Sequence, residues 1–188
     1  MPNGSPLKAY RKSPYDTSES RMPELEIRLA TVADADRIND IYNHYVRTST
    51  ATFDTEEMTH ERRVDWLRQH TGQHPCTVAV LDGVVLGWGS LSQFRERKAW
   101  ARTVEISTYI SSDATGGGIG PALANDLHER ARELGHHALI SQIVHDNEAS
   151  LKMVCRLGYD HVGTLRQVGR KFDRWLDVVL MEYVIDPA

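Results

Sequence analysis

Glu105 is the lone acid in a run of apolar and hydroxyl residues, Thr103-Val-Glu-Ile-Ser-Thr-Tyr-Ile110, and Gly116-Gly-Gly-Ile-Gly120 follows a short loop later. A carboxylate at a partly apolar site has its pKa raised by desolvation, which suits a general base. Glycines let the backbone approach a ligand closely, and unpaired N–H groups at a helix start attract anions such as phosphate. An acid and an anion cradle on one strand–turn–helix would abstract a proton beside a phosphate-bearing ligand. A plainer reading stays open: Glu105 faces solvent and pairs with Arg95 or Lys98, and the glycines form a turn with no ligand.

The elements that must position these residues follow from periodicity. Thr103–Ile110 reads as a strand. Ile119, Ala122, Leu123, Leu127, Ala131 and Leu134 recur close to a 3.6-residue period and predict a helix directly after the glycines. Upstream, Leu25–Leu29 alternates as a first strand. Thr31-Val-Ala-Asp34 resembles a capping box, and Ile38, Ile41, Tyr42, Tyr45 and Val46 form a helical stripe. A second helix is expected over Thr59–Gln69, with Val64 and Leu67 inward, stopped by Gly72 and Pro75. Thr77–Leu81 and Val84–Leu91 flank Asp82-Gly83, a two-residue hairpin turn. Downstream come a strand over His137–Ile143, a helix over Glu148–Arg156, and strands over Tyr159–Val168 and Leu176–Val184 joined by Gly169–Trp175. The order β-α-α-β-β-β-α-β-α-β-β predicts one α/β (α+β) domain with a mixed, mostly antiparallel sheet of about seven strands and helices on both faces.

Size and charge narrow the classes. A chain of 188 residues is long enough for one domain with a substantial core. The net charge of −4 argues against nucleic acid as a partner. No apolar run has the length of a membrane span, and no signal-peptide pattern appears. Cys76 and Cys155 form no CxxC and read as reduced thiols of a cytoplasmic protein. His136-His137 is the only adjacent histidine pair and no HExxH occurs, so no metal is expected. Residues 1–24 hold four of the seven prolines and no apolar periodicity. They read as a disordered extension ahead of a domain spanning 25–188.

The glycine loop can be compared with four ligand-binding patterns. The dinucleotide fingerprint fails because Pro121 takes the place of a third glycine, and the P-loop fails because Gly120-Pro121 replaces its Gly-Lys. Gly116, Gly118 and Gly120 match the GxGxG of a methyltransferase, but that loop normally ends the first strand of a parallel sheet. The fourth pattern takes in the most residues. Gly118-Ile119-Gly120 is similar to the end of the Gln/Arg-x-x-Gly-x-Gly/Ala loop of the GNAT superfamily of acyl-CoA-dependent N-acetyltransferases. The flanking motifs Phe94-Arg95-x-Arg97-x-Ala99, Thr103-Val-Glu105, Asn147-x-Ala-Ser150 and Leu157-Gly-Tyr159 resemble one subfamily, the phosphinothricin and methionine sulfoximine N-acetyltransferases. So does the long closing motif, Arg166-x-Val-Gly-Arg-Lys-Phe-x-Arg-Trp-Leu-Asp-Val178.

The resemblance implies acetyl transfer from acetyl-CoA to the α-amino group of a small amino acid or analogue. Amide formation needs a neutral amine, so a base must take a proton, and Glu105 is the candidate. Backbone N–H groups of Ser107–Ile110, with Thr108, Tyr109 and Ile110 as the cofactor contacts, would bind the acetyl carbonyl and pantetheine arm. Gly116, Gly117, Gly118, Ile119, Gly120 and Pro121 would hold the pyrophosphate, and Asn147 the pantetheine; Asn147 reads equally as a helix cap. Phe53, Arg95, Glu96, Arg97, Ile106 and Ser107 would join Glu105 around the amine substrate, with the arginines binding its anionic group. Lys171 and Phe172 would lie near the site or a dimer contact. A homodimer and direct transfer, with no metal, complete the expectation. Departures from the family pattern bear on strength: Thr115, Gly117 and Pro121 leave the loop without flanking positive charge, predicting weak, salt-insensitive cofactor binding. Val154 replaces a histidine that could serve the leaving thiolate, and Trp100 replaces a tyrosine. These changes keep a degenerate acyl-CoA-binding regulatory protein open beside the enzyme.

Overall fold

The computed structural model describes residues 25–185, so the extension read over residues 1–24 lies outside the described residues. Seven strands form one sheet in the order β1-β2-β3-β4-β5-β7-β6. The strands are β1 (Glu26–Leu29), β2 (Cys76–Leu81), β3 (Val84–Gln93), β4 (Thr103–Ile110), β5 (Ala138–Val144), β6 (Asp160–Lys171) and β7 (Arg174–Val184). The helices are α1 (Ala35–Thr48), α2 (His60–Gln69), α3 (Ile119–Glu133) and α4 (Glu148–Arg156). Every neighbouring pair is antiparallel except β4–β5. One parallel pair is not the parallel sheet that a methyltransferase loop requires.

Local signals account for the boundaries. Thr59 Oγ1 caps α2 by accepting from the Arg62 N–H, and Asn147 Oδ1 caps α4 by accepting from the Ser150 N–H. The Asp34 carboxylate accepts from the Thr31 N–H at 2.8 Å, which starts the turn leading into α1. Asp82 and Gly83 both have positive φ, as the tight β2–β3 hairpin requires.

Strand alternation sorts the core. Val78, Val80 and Trp88 face α1 and α2, packing on Ile38, Ile41 and Leu67. Leu91, Val104, Ile106 and Leu139 face the other way, onto Ala124, Leu127 and Ala131 of α3 and Val154 of α4. Helices therefore cover both faces. In α2 the inward residues differ from expectation: Arg63 is fully buried beside Leu67, whereas Val64 is half-buried. The closing segment also differs. Gly169–Trp175 is not a loop, because β6 and β7 continue to a two-residue turn at Phe172-Asp173, both at positive φ. Its charged residues sit on this hairpin at the edge of the sheet, Arg170, Asp173 and Arg174 exposed and Lys171 buried, so polarity there does not mark a loop.

The pairing of β4 is unequal on its two sides. Against β3 it pairs along its whole length, Gln93↔Val104 to Gly87↔Ile110. Against β5 it pairs only over Thr103↔Ala138 to Glu105↔Ile140, while β5 continues along β7 to Val144↔Val178. The strands part after Glu105 and leave a gap between their C-terminal halves. No described helix is long and apolar enough to cross a membrane.

Gly89 sits where β3 is tightly backed by α3. A Cβ there would lie 2.8 Å from Leu127 Cδ1 and 3.0 Å from the Ser107 carbonyl oxygen. Gly89→Ala is expected to destabilise the fold by about 1–3 kcal/mol, read as a lowered denaturant midpoint at unchanged m-value.

Candidate functional site

Two cavities meet at β4. The smaller, about 440 Å³, holds Glu105 with Phe53, Arg63, Trp66, Trp88 and Ser92 in its wall. The larger, about 1060 Å³, runs from Thr108 and Ile110 past Gly116, Gly118, Ile119, Gly120 and Pro121 to Asn147 and α4, with Gly117 outside its wall. Ala51, Ser107, Tyr109, Gln142 and Val144 line both. The gap between β4 and β5 is where the cavities join, because Ser107 lies beyond the last paired residue and Gln142 faces it from β5.

Glu105 is half-buried in the smaller cavity. Its Oε2 accepts from Gln142 Nε2 at 2.9 Å, and it makes no ion pair among the described residues. Burial raises its pKa above the ordinary carboxylate range; the Gln142 bond and the Arg95 charge oppose that rise without cancelling it. The geometry thus favours a cavity carboxylate over a surface ion pair with Arg95 or Lys98.

The floor of this cavity carries a buried cation. Arg63 is 1 % exposed, with its guanidinium 4.8 Å from the Tyr42 ring centroid, 4.9 Å from Trp66 and 5.2 Å from Trp88. Burial lowers its pKa, but a guanidinium stays charged in proteins. Nη2 has no hydrogen-bond partner, and Nε reaches only Asn39 Oδ1 at 3.4 Å. Stacked aromatic faces are the main compensation for this charge. The cavity rim is tied down by Lys171, whose buried ammonium donates to the Thr52 carbonyl at 2.8 Å. Phe53 rests on Gly169, where any Cβ would overlap its ring.

Backbone direction decides what faces the gap. Ser111 N–H donates to the Leu86 carbonyl at 2.7 Å. Antiparallel pairing alternates, so Tyr109–Trp88 and Ser107–Ser90 are also hydrogen-bonded pairs, and their amides point at β3. The amides of Thr108 and Ile110 point the other way, into the gap. The Ile110 carbonyl points there too and accepts from Tyr45 Oη at 2.6 Å. Of the expected backbone donors over Ser107–Ile110, the strand's own pairing therefore leaves Thr108 and Ile110 open and occupies Ser107 and Tyr109.

The loop at the far end is shaped for an anion. Gly116 and Gly118 adopt φ of 82° and 80°, and Gly118 caps α3. Left-handed backbone at these points turns successive N–H groups inward. Gly120 has a different reason: a Cβ would sit 3.0 Å from Met153 Sδ. Thr115 and Gly117 supply no charge, but cations arrive from elsewhere: Lys152, Arg156 and Arg174 line the same cavity. Lys152 pairs with Glu148 and Arg174 with Asp146, whereas Arg156 has no carboxylate partner among the described residues. A cavity of this length with open amides, a glycine cradle and a free guanidinium fits an elongated, phosphate-bearing thioester.

Other expected residues fall differently. Asn147 both caps α4 and lines the larger cavity. Ile106 does not line the smaller cavity: alternation along β4 turns it into the core under α3 and toward the larger one. Arg95, Glu96 and Arg97 are exposed and outside the cavity wall, with the Arg95 guanidinium 5.0 Å over the Phe94 ring. They follow the end of β3, and Trp100 packs edge-on against Phe94 there. Val154 is buried in the core beside Tyr159 and its side chain offers no proton. Burial pushes the Cys76 thiol up to about 12, so it is no nucleophile. His70 and His74 stand four apart, but α2 ends at Gln69, and among the described residues no three His, Cys, Asp or Glu converge. Sequence reasoning missed Arg63, Trp66 and Gln142. The i, i+3 spacing of Arg63 and Trp66 was available as a one-face signal; Gln142 has none, since it reaches Glu105 only through strand pairing.

Gln142→Ala removes the donor that favours the charged carboxylate. Glu105 is then expected to titrate at a still higher pH, observable in a carboxyl ¹³C NMR titration.

Comparison with known proteins agrees with this geometry. Residues 27–180 match the acetyltransferase (GNAT) domain. A phosphinothricin N-acetyltransferase of Streptomyces coelicolor is 37% identical over 163 residues, covering 85% of this chain and 95% of that protein. An L-methionine sulfoximine/L-methionine sulfone acetyltransferase of Pseudomonas aeruginosa is 38% identical, covering 86% and 95%. The crystal structure of a GNAT superfamily phosphinothricin acetyltransferase from Sinorhizobium meliloti in complex with AcCoA superposes with a TM-score of 0.83 at 32% identity, covering 86% of this chain and 88% of that one. A strand pair that opens beside a carboxylate, a glycine cradle at the end of the opening and this extent of shared sequence lead to one assignment: the chain belongs to the GNAT family of acetyltransferases.

Proposed function

We propose that this acetyl-CoA-dependent N-acetyltransferase acetylates the α-amino group of a small amino acid or analogue, of the phosphinothricin or methionine sulfoximine and sulfone type. The observation that carries the reading is the meeting of two cavities at the open edge of β4, with a base on one side and amide donors on the other. The names of the relatives support the substrate type. Acetyl-CoA, when bound, supplies the activated acetyl group as a thioester.

The chain's own residues do the rest. Glu105 takes a proton from the acceptor ammonium, directly or through a water, and its raised pKa suits that transfer. The Thr108 and Ile110 amides offer fixed donors to the acyl carbonyl across the gap. Gly116–Pro121 and Asn147 hold the phosphate-bearing arm. In the smaller cavity the Arg63 charge favours an acceptor with an anionic group, and Phe53 covers it. Arg95, whose charge acts on Glu105 from outside the cavity wall, adds to that preference. Transfer is direct, without an acetyl-enzyme, because Cys76 is buried and Cys155 is exposed away from the cavities. No metal enters the step. Exposed Leu165, Val168 and Trp175 on β6 and β7, the first two also lining the smaller cavity, support a homodimer through that hairpin, and two free cysteines suit a cytoplasmic protein.

One observation favours a second reading. Val154 offers no proton to a leaving thiolate, which suits a protein that binds acyl-CoA without turnover. Thiol release from acetyl-CoA with phosphinothricin, methionine sulfoximine, methionine sulfone and a polyamine separates the two. Release with one of the first three, lowered about 100-fold or more in Glu105→Gln, is the expected result. A thermal shift with acetyl-CoA and no release for any amine would establish the binder instead. Because Glu105 must be deprotonated to act, kcat/KM is expected to fall with decreasing pH through a limb above the ordinary carboxylate range, absent from Glu105→Gln.

Arg156 changes the expectation of salt-insensitive binding. Arg156→Ala is expected to raise the acetyl-CoA dissociation constant about tenfold at low salt and to flatten its salt dependence, measured by calorimetry.

A further inference from the structure

The acetyl-transfer reading leaves a question about protons. An acceptor enters as R–NH3⁺ and leaves as an amide carrying one N–H. Two protons are lost from nitrogen: one ends on the released thiol and one goes to bulk water. Glu105 can receive a proton, but it sits inside the cavity and must be emptied before each new turnover.

The neighbouring strand carries a route. Ser92 lines the cavity and stands directly opposite Glu105 in the β3–β4 register. By the alternation above this is a hydrogen-bonded pair, with side chains on one face and Cα atoms about 5.5 Å apart. Ser92 Oγ lies 3.0 Å from His70 Nε2. The other ring nitrogen, Nδ1, lies 2.9 Å from the Trp66 carbonyl oxygen. A carbonyl only accepts, so Nδ1 carries the hydrogen and Nε2 is a lone pair. The Ser92 hydroxyl must then donate to Nε2, which leaves the oxygen's own lone pairs for the cavity. The imidazole stacks on the Trp66 ring at 3.6 Å between centroids, so its orientation is held from two sides. His70 is half-buried and stands just past the end of α2, between the cavity wall and solvent.

We infer that Ser92 and His70 form the proton exit of the acceptor cavity. A proton held on Glu105, or on a water it has protonated, passes to Ser92 Oγ as the Ser92 O–H proton passes to His70 Nε2. The O–H bond of Ser92 is broken and remade, the Nε2–H bond forms, and His70 becomes a cation with Nδ1–H still on the Trp66 carbonyl. The Nε2 proton is then lost to water, and the relay resets. The surroundings of the ring ease the last step, release of the proton to water. Burial disfavours the imidazolium most, the Trp66 carbonyl opposes that by accepting from Nδ1–H, His74 of the α2–β2 connection and Arg63 of α2 add to the effect of burial, and β3 presents the neutral Ser92. His70 therefore stays neutral between turnovers and releases its proton readily. Ser92 touches the cavity; His70 acts through it as a positioning residue.

The inference rests on the acetyl-transfer reading for its purpose, but its geometry can be tested without turnover. In ¹⁵N NMR of the intact protein His70 is expected as the neutral Nδ1–H tautomer; the Nε2–H tautomer would overturn the relay. With acetyl-CoA and methionine sulfone, Ser92→Ala and His70→Phe are each expected to lower kcat about tenfold. His70→Phe retains a ring against Trp66, so acetyl-CoA affinity and melting temperature should hold. The double variant should be no slower than either single one, because both interrupt one path. Added imidazole should restore His70→Ala. Losses that multiply in the double variant, single variants within twofold of the parent, or no rescue would each refute the relay. Absence of turnover in the unsubstituted protein would refute the acetyl-transfer reading, while the tautomer would still decide the relay geometry.

Discussion

The structure depends on one interrupted ladder. β4 and β5 share only three paired positions before they part, yet β4 keeps its full pairing with β3 and β5 keeps its own with β7. Backbone N–H and C=O groups are obligatory hydrogen-bonding groups, so an opening inside a sheet is costly unless something holds it. Helix α1 does part of this. Tyr45 Oη satisfies the Ile110 carbonyl, and Arg37 donates to Ser111 Oγ and to the Val85 carbonyl. The amides left over, of Thr108 and Ile110, face the gap without a strand partner. A deficit in secondary structure is converted into a binding surface, and the two cavities follow from it.

Electrostatics divides the labour between those cavities. The larger has cations at its far end and amide dipoles along its wall, an arrangement that suits a polyanion. The smaller sets a desolvated carboxylate against a desolvated guanidinium. Neither forms an ion pair with the other, and each is held by weaker partners: Gln142 for Glu105, aromatic faces and Asn39 for Arg63. A buried ion pair would have stabilised both charges and removed them from use. Kept apart, the carboxylate and the guanidinium both remain without an ion-pair partner inside the cavity.

Long-range ties bring these groups to one place. The Lys171 ammonium joins the β6–β7 hairpin to the segment after α1, and Gly169 admits the Phe53 ring because it has no Cβ. The hairpin therefore acts as a wall of the smaller cavity as well as a sheet edge. Its turn, with two non-glycine residues at positive φ, accepts local strain at the point where the strands must reverse.

Much of this was legible in the sequence. The element order, the strand carrying Glu105 and the glycine cap of α3 each rest on signals only a few residues long: apolar period, capping residues and turn glycines. Such signals survive because local backbone preference and side-chain burial agree there. Three things were settled only by tertiary structure. Whether Glu105 faced a cavity or solvent depended on the strand beside it, and Gln142 lies 37 residues away in the chain. Arg63 looked like one charge in a polar helix, and its burial comes from three aromatic rings supplied by α1, α2 and β3. The glycine loop reads as lacking flanking positive charge, and the cations that line its cavity come instead from α4 and β7, as Lys152, Arg156 and Arg174. Sequence determines period and chirality, hence which elements form and which face each residue joins. Which faces meet is decided by packing across the whole sheet, and the chemistry of this site lies in those meetings.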